Sequence, residues 1–298
     1  MLSVGVSRYR EVLRMASCQH LHDDRKKIAP MTNIAPTTGR RLPIWGFILL
    51  AVGYLAAVQL IPRLTTPADS KYGAFTNTAE IVGGLWVTVG VGTVIGLVAV
   101  AVLGWWRPVF LDDRPLPRWT WVFPVVLLVG ILAGTSYGNL SDKGLSYTLM
   151  LLVGCLFVGV SEELMFRGIG ITAFRQAGFT EGMVALWTSV LFGLAHATNI
   201  FTEGIGALPQ VLVTAVAGYF FYVTRRVSGL LIVSMIIHGL WDFGLFTNTL
   251  STPTGAGGII FILVDIVLAI VAVVTIRKVF PRNSELPSTT GTSIPPRS

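Results

Sequence analysis

The sequence predicts an all-α membrane protein, a bundle of about eight transmembrane helices with both termini on the cytoplasmic side. Of the 298 residues, 53% are hydrophobic and only 12% are charged. A chain of this composition has too little polar surface to cover a soluble globule. Several apolar runs reach the roughly 20 residues that a membrane-spanning helix requires. Lysine and arginine are also distributed unevenly between the connecting segments, as expected when they collect on the cytoplasmic side.

The apolar runs lie within one predicted membrane domain, residues 42–280. Residues 1–41 carry eight lysines and arginines and are expected to form a disordered cytoplasmic tail, in which Met31 is an alternative start. Residues 281–298 are rich in proline, serine and threonine and are also expected to be disordered. The eight predicted membrane segments are 42–61, 81–105, 119–136, 145–167, 183–197, 208–223, 229–246 and 258–279.

Basic residues indicate the orientation of these segments. If the N-terminus is inside, the cytoplasmic regions hold 19 lysines and arginines, and the outside loops hold three: Arg63, Lys71 and Lys143. This split puts the end of the fourth segment on the cytoplasmic side. Cytoplasmic loops also account for the net charge of +7, and no nucleic-acid motif is present. Two cysteines, Cys18 and Cys155, are too few for a disulfide framework or a cysteine-based metal site.

Two adjacent glutamates mark the end of the fourth segment. Glu162, Glu163 and Arg167 follow an apolar run, and ionised side chains at membrane depth are costly and so indicate function by default. On a helix Glu163 and Arg167 are four residues apart and can pair, whereas Glu162 is rotated by about 100° from Glu163. We therefore expect Arg167 to neutralise Glu163, which leaves Glu162 free to exchange a proton. The alternative is an ion-pair cluster that caps the helix at the lipid headgroups.

Two histidines lie within other apolar segments. His196 follows Phe192 by four residues, and His238 precedes Asp242 by four. Together with the glutamates, two intramembrane histidines predict one convergent site. Asp242 shares a helix face with His238, so it can orient the imidazole or present its own oxygen to a substrate. Asp265 stands alone in the last segment and is expected to have a structural role.

These motifs resemble those of the CPBP family of intramembrane proteases, which includes the type II CAAX prenyl endopeptidases and bacterial relatives linked to bacteriocin processing and immunity. The family pattern is Glu-Glu-x-x-x-Arg, then Phe-x-x-x-His, then His-x-x-x-Asn or Asp, and residues 145–246 contain all three in this order. The resemblance implies an integral membrane protease, in a bacterial plasma membrane, whose site faces the cytoplasm. Its partners would be a membrane-anchored protein or peptide substrate and the lipid bilayer.

The resemblance also implies roles for individual residues. The implied catalytic residues are Glu162, His196, His238 and Asp242, and the implied supporting residues are Glu163, Arg167 and Phe192. The first glutamate would activate water with help from the first histidine, and the second histidine with its aspartate would stabilise the oxyanion. Prenyl endopeptidases generally carry asparagine where this chain has Asp242. An ionised aspartate is a poor oxyanion donor, so it would have to be protonated or act through His238.

Metal use and two other functions stay open at this stage. Glu162, His196 and His238 could form a zinc set with one open position, but the helical His-Glu-x-x-His signature is absent. Family members are described both as metalloproteases and as glutamate-dependent proteases, and we expect a glutamate-activated water without a metal. Intramembrane carboxylates and histidines also build proton relays, so a proton-coupled transporter is an alternative, although no inverted repeat is evident. The second alternative is a non-catalytic binding or immunity protein of the same fold.

Overall fold

The computed structural model describes residues 40–66, 75–250 and 256–280, and every regular element in these ranges is helical. The predicted all-α class is therefore confirmed. The predicted tails lie outside the described residues, apart from Arg40 and Arg41. The long helices of the described ranges are α1 (Ile44–Leu60), α2 (Val87–Leu103), α3 (Val122–Gly134), α4 (Leu145–Glu163), α5 (Glu181–His196), α6 (Leu208–Ser228), α7 (Leu231–Thr247) and α8 (Ala256–Val279).

Shorter helical pieces extend or connect the long helices. Two of them are π-helical: Ile81–Trp86 leads into α2, and Leu164–Gly170 follows α4. Such π-helical turns inside longer helices are frequent at functional sites. The other pieces are the α-helical Pro62–Thr65, Thr78–Glu80, Trp106–Phe110, Tyr137–Lys143, Ile171–Gln176 and Ile200–Glu203, and the 3-10 turns Arg118–Trp121, Ala197–Asn199 and Gly204–Ala207.

Five helices of the described ranges are long and apolar enough to cross a membrane, which makes the chain an integral membrane protein. A bent pair, Arg118–Gly134 with Tyr137–Lys143, would be a sixth span with a 56° break. The predicted number of eight is not confirmed, because α5 and α7 have only 16 and 17 residues. At 1.5 Å per residue these helices fall short of a hydrocarbon core about 30 Å thick. The orientation of the termini stays a prediction.

Helices α4 and α7 pack closely against each other beside the site, and glycines permit this contact. A Cβ on Gly159 of α4 would lie 2.1 Å from the carbonyl oxygen of Met235, and one on Gly239 of α7 would lie 2.6 Å from the Cα of Leu156. The two backbones therefore touch with no side chain between them, as small residues allow in membrane helices. This contact brings the glutamates of α4 against the histidine of α7.

A cluster of charged residues lies at one end of the bundle, outside the site. We call it the arginine cluster, and it consists of Asp112, Arg114, Arg175, Glu181, Arg225 and Arg226. Glu181, the first residue of α5, accepts hydrogen bonds from Arg175 Nε at 2.8 Å and from Arg226 Nη1 at 2.6 Å. Asp112 forms an ion pair with Arg175 at 2.9 Å. The cluster thus ties the start of α5 to the end of α6 and to the segment before α3.

Acid is expected to weaken the folded protein between about pH 4.5 and about pH 2 through Glu181. Burial alone would raise the pKa of Glu181, but hydrogen bonds and charge from Arg175 and the charge of Arg226 outweigh burial and lower this pKa from 4.5 to about 2. A carboxyl with a lowered pKa stabilises the folded state fully above its unfolded pKa, and this contribution is lost as the pH falls through the folded pKa. Thermal unfolding in detergent at several pH values measures the effect. The Glu181→Gln variant should lose most of this pH dependence, and an unchanged dependence would contradict the prediction.

Candidate active site

The ion pair expected from the four-residue spacing is present at the end of α4. Arg167 Nη1 lies 2.8 Å from Glu163 Oε1, and both side chains are fully buried. The helical segment continues through the π-turn to Gln176, nine residues beyond the predicted end at Arg167. Because the pair lies inside a continuous helical segment and away from solvent, it does not cap a helix end. The alternative of a helix-capping cluster is therefore wrong.

Glu163 is surrounded by donors from two helices. His238 Nδ1 donates to Glu163 Oε1 at 3.0 Å, and the hydroxyl of Ser234 donates to Oε2. With the ion pair to Arg167, both carboxylate oxygens are engaged. Hydrogen bonds to an ionised group are roughly twice as strong as neutral ones. Glu163 is thus held by three side chains and is fully buried.

Two aromatic rings also contact the guanidinium group of Arg167. Its guanidinium carbon lies 3.8 Å from the ring centroid of Phe192 and 5.5 Å from that of Phe221. A cation over a π-face is attracted by the ring quadrupole, and more strongly where water is excluded. Phe192 therefore packs against the supporting ion pair as well as against the histidines described below.

His238 stands among three carboxylates. Its Nδ1 donates to Glu163, while its Nε2 lies 3.7 Å from Glu162 Oε2 and 3.5 Å from Asp242 Oδ2. The ring is stacked on Phe221 at a centroid distance of 4.4 Å. A neutral imidazole that donates from Nδ1 has only an acceptor at Nε2. With carboxylates facing that nitrogen, either His238 is doubly protonated or one of the two carboxyls carries a proton.

Glu162 is the carboxylate of the α4 pair that keeps an unused oxygen. Its Oε2 is buried and has no hydrogen-bond partner in the described part of the chain, although the side chain as a whole is 21% exposed. His238 Nε2 lies 3.7 Å from this oxygen. In Glu163, by contrast, both oxygens are engaged. Helical spacing predicted this difference between the two glutamates.

His196 joins the site through a shared aromatic wall. Its Nδ1 donates to the carbonyl oxygen of Phe192 at 3.0 Å, within the last turn of α5. This bond leaves Nε2 as an acceptor. The ring of Phe192 contacts His196 at 4.9 Å and His238 at 5.7 Å between centroids. The two histidines therefore lie on one wall, with no direct hydrogen bond between them in the described residues.

The arrangement of the possible metal-ligating side chains can be described for the resolved part of the site. Within residues 40–66, 75–250 and 256–280, no group of three or more His, Cys, Asp and Glu side chains could hold a metal ion. The expectation of a glutamate-activated water without a metal stays a prediction, and so does the alternative zinc set of Glu162, His196 and His238. Glu163 occupies one nitrogen of His238, and the ring of Phe192 contacts both histidines.

Two residues of the site were not foreseen from the sequence. Ser234 lies four residues before His238 on the same face of α7, so its spacing could have indicated it. Phe221 comes from α6, and no motif marks it.

Asp265 lies in α8 with a buried Oδ1 that has no hydrogen-bond partner in the described ranges. Its structural role stays a prediction.

Comparison with known families points to the same region. Residues 144–244, about a third of the chain, match the family model described as "Type II CAAX prenyl endopeptidase Rce1-like". The match spans α4 to α7 and contains every predicted site residue. It confirms the resemblance to CPBP intramembrane proteases. Comparisons with curated proteins and with solved structures gave no match.

Proposed function

Because residues 144–244 carry an Rce1-like domain of the type II CAAX prenyl endopeptidase family, we propose that this membrane protein is an intramembrane endopeptidase. Its substrate is a membrane-anchored protein or peptide, and its nucleophile is a water activated by Glu162. The observation that carries the proposal is the unequal engagement of the two glutamates. Glu163 has both oxygens engaged, whereas Glu162 keeps a free oxygen beside His238.

The first step is the activation of water. A water between Glu162 and His196 would donate one proton to the carboxylate and the other, as a hydrogen bond, to the free Nε2 of His196. As Glu162 takes the proton, the water oxygen attacks the carbonyl carbon of the scissile peptide bond. The carbonyl double bond opens, and a tetrahedral intermediate with a negative oxygen forms.

The second step is the collapse of this intermediate. The doubly protonated ring of His238 would donate a hydrogen bond from Nε2 to the oxyanion. This oxygen is where negative charge develops in the transition state. The carbon–nitrogen bond then breaks, and Glu162 returns its proton to the leaving amine. The products are a new carboxyl end and a new amino end. The charge of Glu163, 3.0 Å from Nδ1, stabilises the imidazolium in both steps.

Asp242 acts through His238 in this scheme. Its carboxyl lies 3.5 Å from His238 Nε2, so an ionised Asp242 stabilises the imidazolium and competes with the oxyanion for the same N–H. This differs from a neutral asparagine, which could donate to the oxyanion itself. Nothing in the scheme requires the substrate to carry a prenyl group. We further propose that the site opens towards the cytoplasmic side, as the distribution of lysine and arginine over eight predicted segments indicates, and that the membrane is a bacterial plasma membrane, as the family resemblance implies.

Peptide cleavage in labelled water tests the proposal. Purified protein in proteoliposomes is given a library of membrane-anchored peptides in H₂¹⁸O, and the fragments are analysed by mass spectrometry. Hydrolysis by water puts one ¹⁸O into each new carboxyl end, and protein-free liposomes are the control. Intact peptides combined with proton flux across the vesicle membrane would overturn the proposal and favour the transporter. Intact peptides without flux would favour the binding protein.

A further inference from the structure

Helix α1 lies outside the matched region, yet it contacts the chain beside Glu162. The hydroxyl of Tyr54 on α1 is 2.9 Å from the hydroxyl of Ser161 on α4, the residue immediately before Glu162. Both residues are buried, with Tyr54 only 2% exposed. A buried hydroxyl that lacks a partner is costly, so the pair fixes the two helices against each other at this level.

The surroundings of this hydrogen bond are shaped to hold it. A Cβ on Gly92 of α2 would lie 2.5 Å from Ser161 Oγ and 2.7 Å from Tyr54 Cε2, so only glycine leaves room for the pair. The Tyr54 ring also packs edge-on against Phe166, with 6.4 Å between ring centroids. Phe166 in turn contacts Phe192, the wall of both histidines. Tyr54 thus supports α4 and the aromatic wall together.

A second side chain of α1 contacts the chain beside His196. Gln59 Nε2 donates to Thr198 Oγ1 at 2.6 Å and to Asn199 Oδ1 at 3.2 Å. These residues form the 3-10 turn Ala197–Asn199, which directly follows His196. Helix α1 therefore contacts both the residue before Glu162, the proposed general base, and the turn after His196, the proposed water-binding histidine. The two contacts lie five residues apart on α1.

We propose that α1 is a positioning element of the active site. Tyr54, through Ser161, sets the position of Glu162, and Gln59, through Thr198 and Asn199, sets that of His196. Together they set the positions of the carboxylate and the imidazole relative to each other. This inference rests on the proposed function, and neither α1 residue touches the reacting atoms. Loss of either contact slows turnover, because small displacements of reacting groups are costly to the rate.

Turnover by hydroxyl-deletion variants gives the first test. Tyr54→Phe and Ser161→Ala are each expected to lower kcat by about tenfold with KM unchanged. The double variant should lose no more than either single variant, because both remove the same hydrogen bond. The matched control is Tyr147→Phe, which removes another buried hydroxyl contact of α4, to the carbonyl of Phe75. This control should retain wild-type kcat.

Three results would contradict the positioning role of Tyr54. Wild-type kcat in Tyr54→Phe, or independent multiplicative losses in the double variant, contradicts positioning through this hydrogen bond. An equal loss of kcat in the Tyr147→Phe control contradicts it as well, because the effect would then be general destabilisation of α4. Thermal unfolding of each variant confirms that the compared proteins are folded.

Chemical modification of His196 gives a test that does not depend on peptidase activity. Diethyl pyrocarbonate modifies accessible imidazole nitrogens, and mass spectrometry of the peptide that contains His196 gives the rate for this residue. Gln59→Leu should change this rate by about threefold or more as the turn loses its anchor, and Tyr147→Phe should not change it. An unchanged rate in Gln59→Leu overturns the role of Gln59. If wild-type protein cleaves no peptide, the proposed function fails, but this measurement still decides whether α1 positions His196.

Discussion

Glu162→Gln is expected to lower kcat for peptide cleavage by about a thousandfold, which is within the range of general acid–base contributions. Glutamine keeps the shape of the side chain but cannot take the proton of water. The fold should be unaffected, because Glu162 Oε2 has no hydrogen-bond partner in the described residues and the side chain is partly exposed. Substrate binding should also persist, so the loss should appear in kcat and not in KM.

Single-turnover cleavage of a membrane-anchored peptide measures this effect. The matched control is Asp142→Asn, which neutralises an exposed carboxyl outside the site and should retain wild-type turnover. His196→Ala should also be slow, because it removes the acceptor that we assign to the water. Retention of more than about a tenth of wild-type kcat by Glu162→Gln would contradict its role as general base.

Arg167→Met is expected to destabilise the protein by about 3–5 kcal/mol. The guanidinium is fully buried, pairs with Glu163 at 2.8 Å and lies over the ring of Phe192. Methionine fills much of the volume of the arginine side chain, but it is uncharged. The buried carboxylate of Glu163 therefore loses the cation with which it pairs. Breaking a buried pair by removing one partner is costly for this reason.

A double variant separates the cost of the uncompensated charge from the cost of lost packing. Glu163→Gln combined with Arg167→Met removes both charges and should recover most of the lost stability. Reversible unfolding in mixed micelles gives the free energies, and Arg118→Met, at an exposed position, is the control. If Arg167→Met were no less stable than this control, the buried ion pair would not hold the site together. A double variant as unstable as Arg167→Met would instead assign the loss to packing.

Local spacing was enough to predict several features of the site. Glu163 and Arg167 are four residues apart, and they pair; His238 and Asp242 are also four apart, and they approach to 3.5 Å. These relations hold because one helical turn sets them, whatever the neighbouring helices do. The apolar runs likewise predicted the positions of the long helices, because a helix in lipid must satisfy its own backbone hydrogen bonds.

Relations between helices needed the tertiary structure. The sequence does not show that Glu163 accepts from His238, that Phe221 stacks on this histidine, or that α1 contacts both sides of the site. Each depends on how far neighbouring helices are rotated and how closely they pack. The close approach at Gly159 and Gly239 sets part of that geometry.

The glutamate pair shows most clearly which features follow from the sequence and which from the tertiary structure. By itself, the sequence determined that Glu162 and Glu163 point in different directions and that Glu163 is the better partner for Arg167. Only the tertiary structure decided that the helix continues beyond Arg167 to Gln176, that Glu163 is fully buried, and that α7 supplies two more donors to Glu163. The physical reason is that a helix fixes the directions of its own side chains, whereas burial and partners come from the packing of other helices.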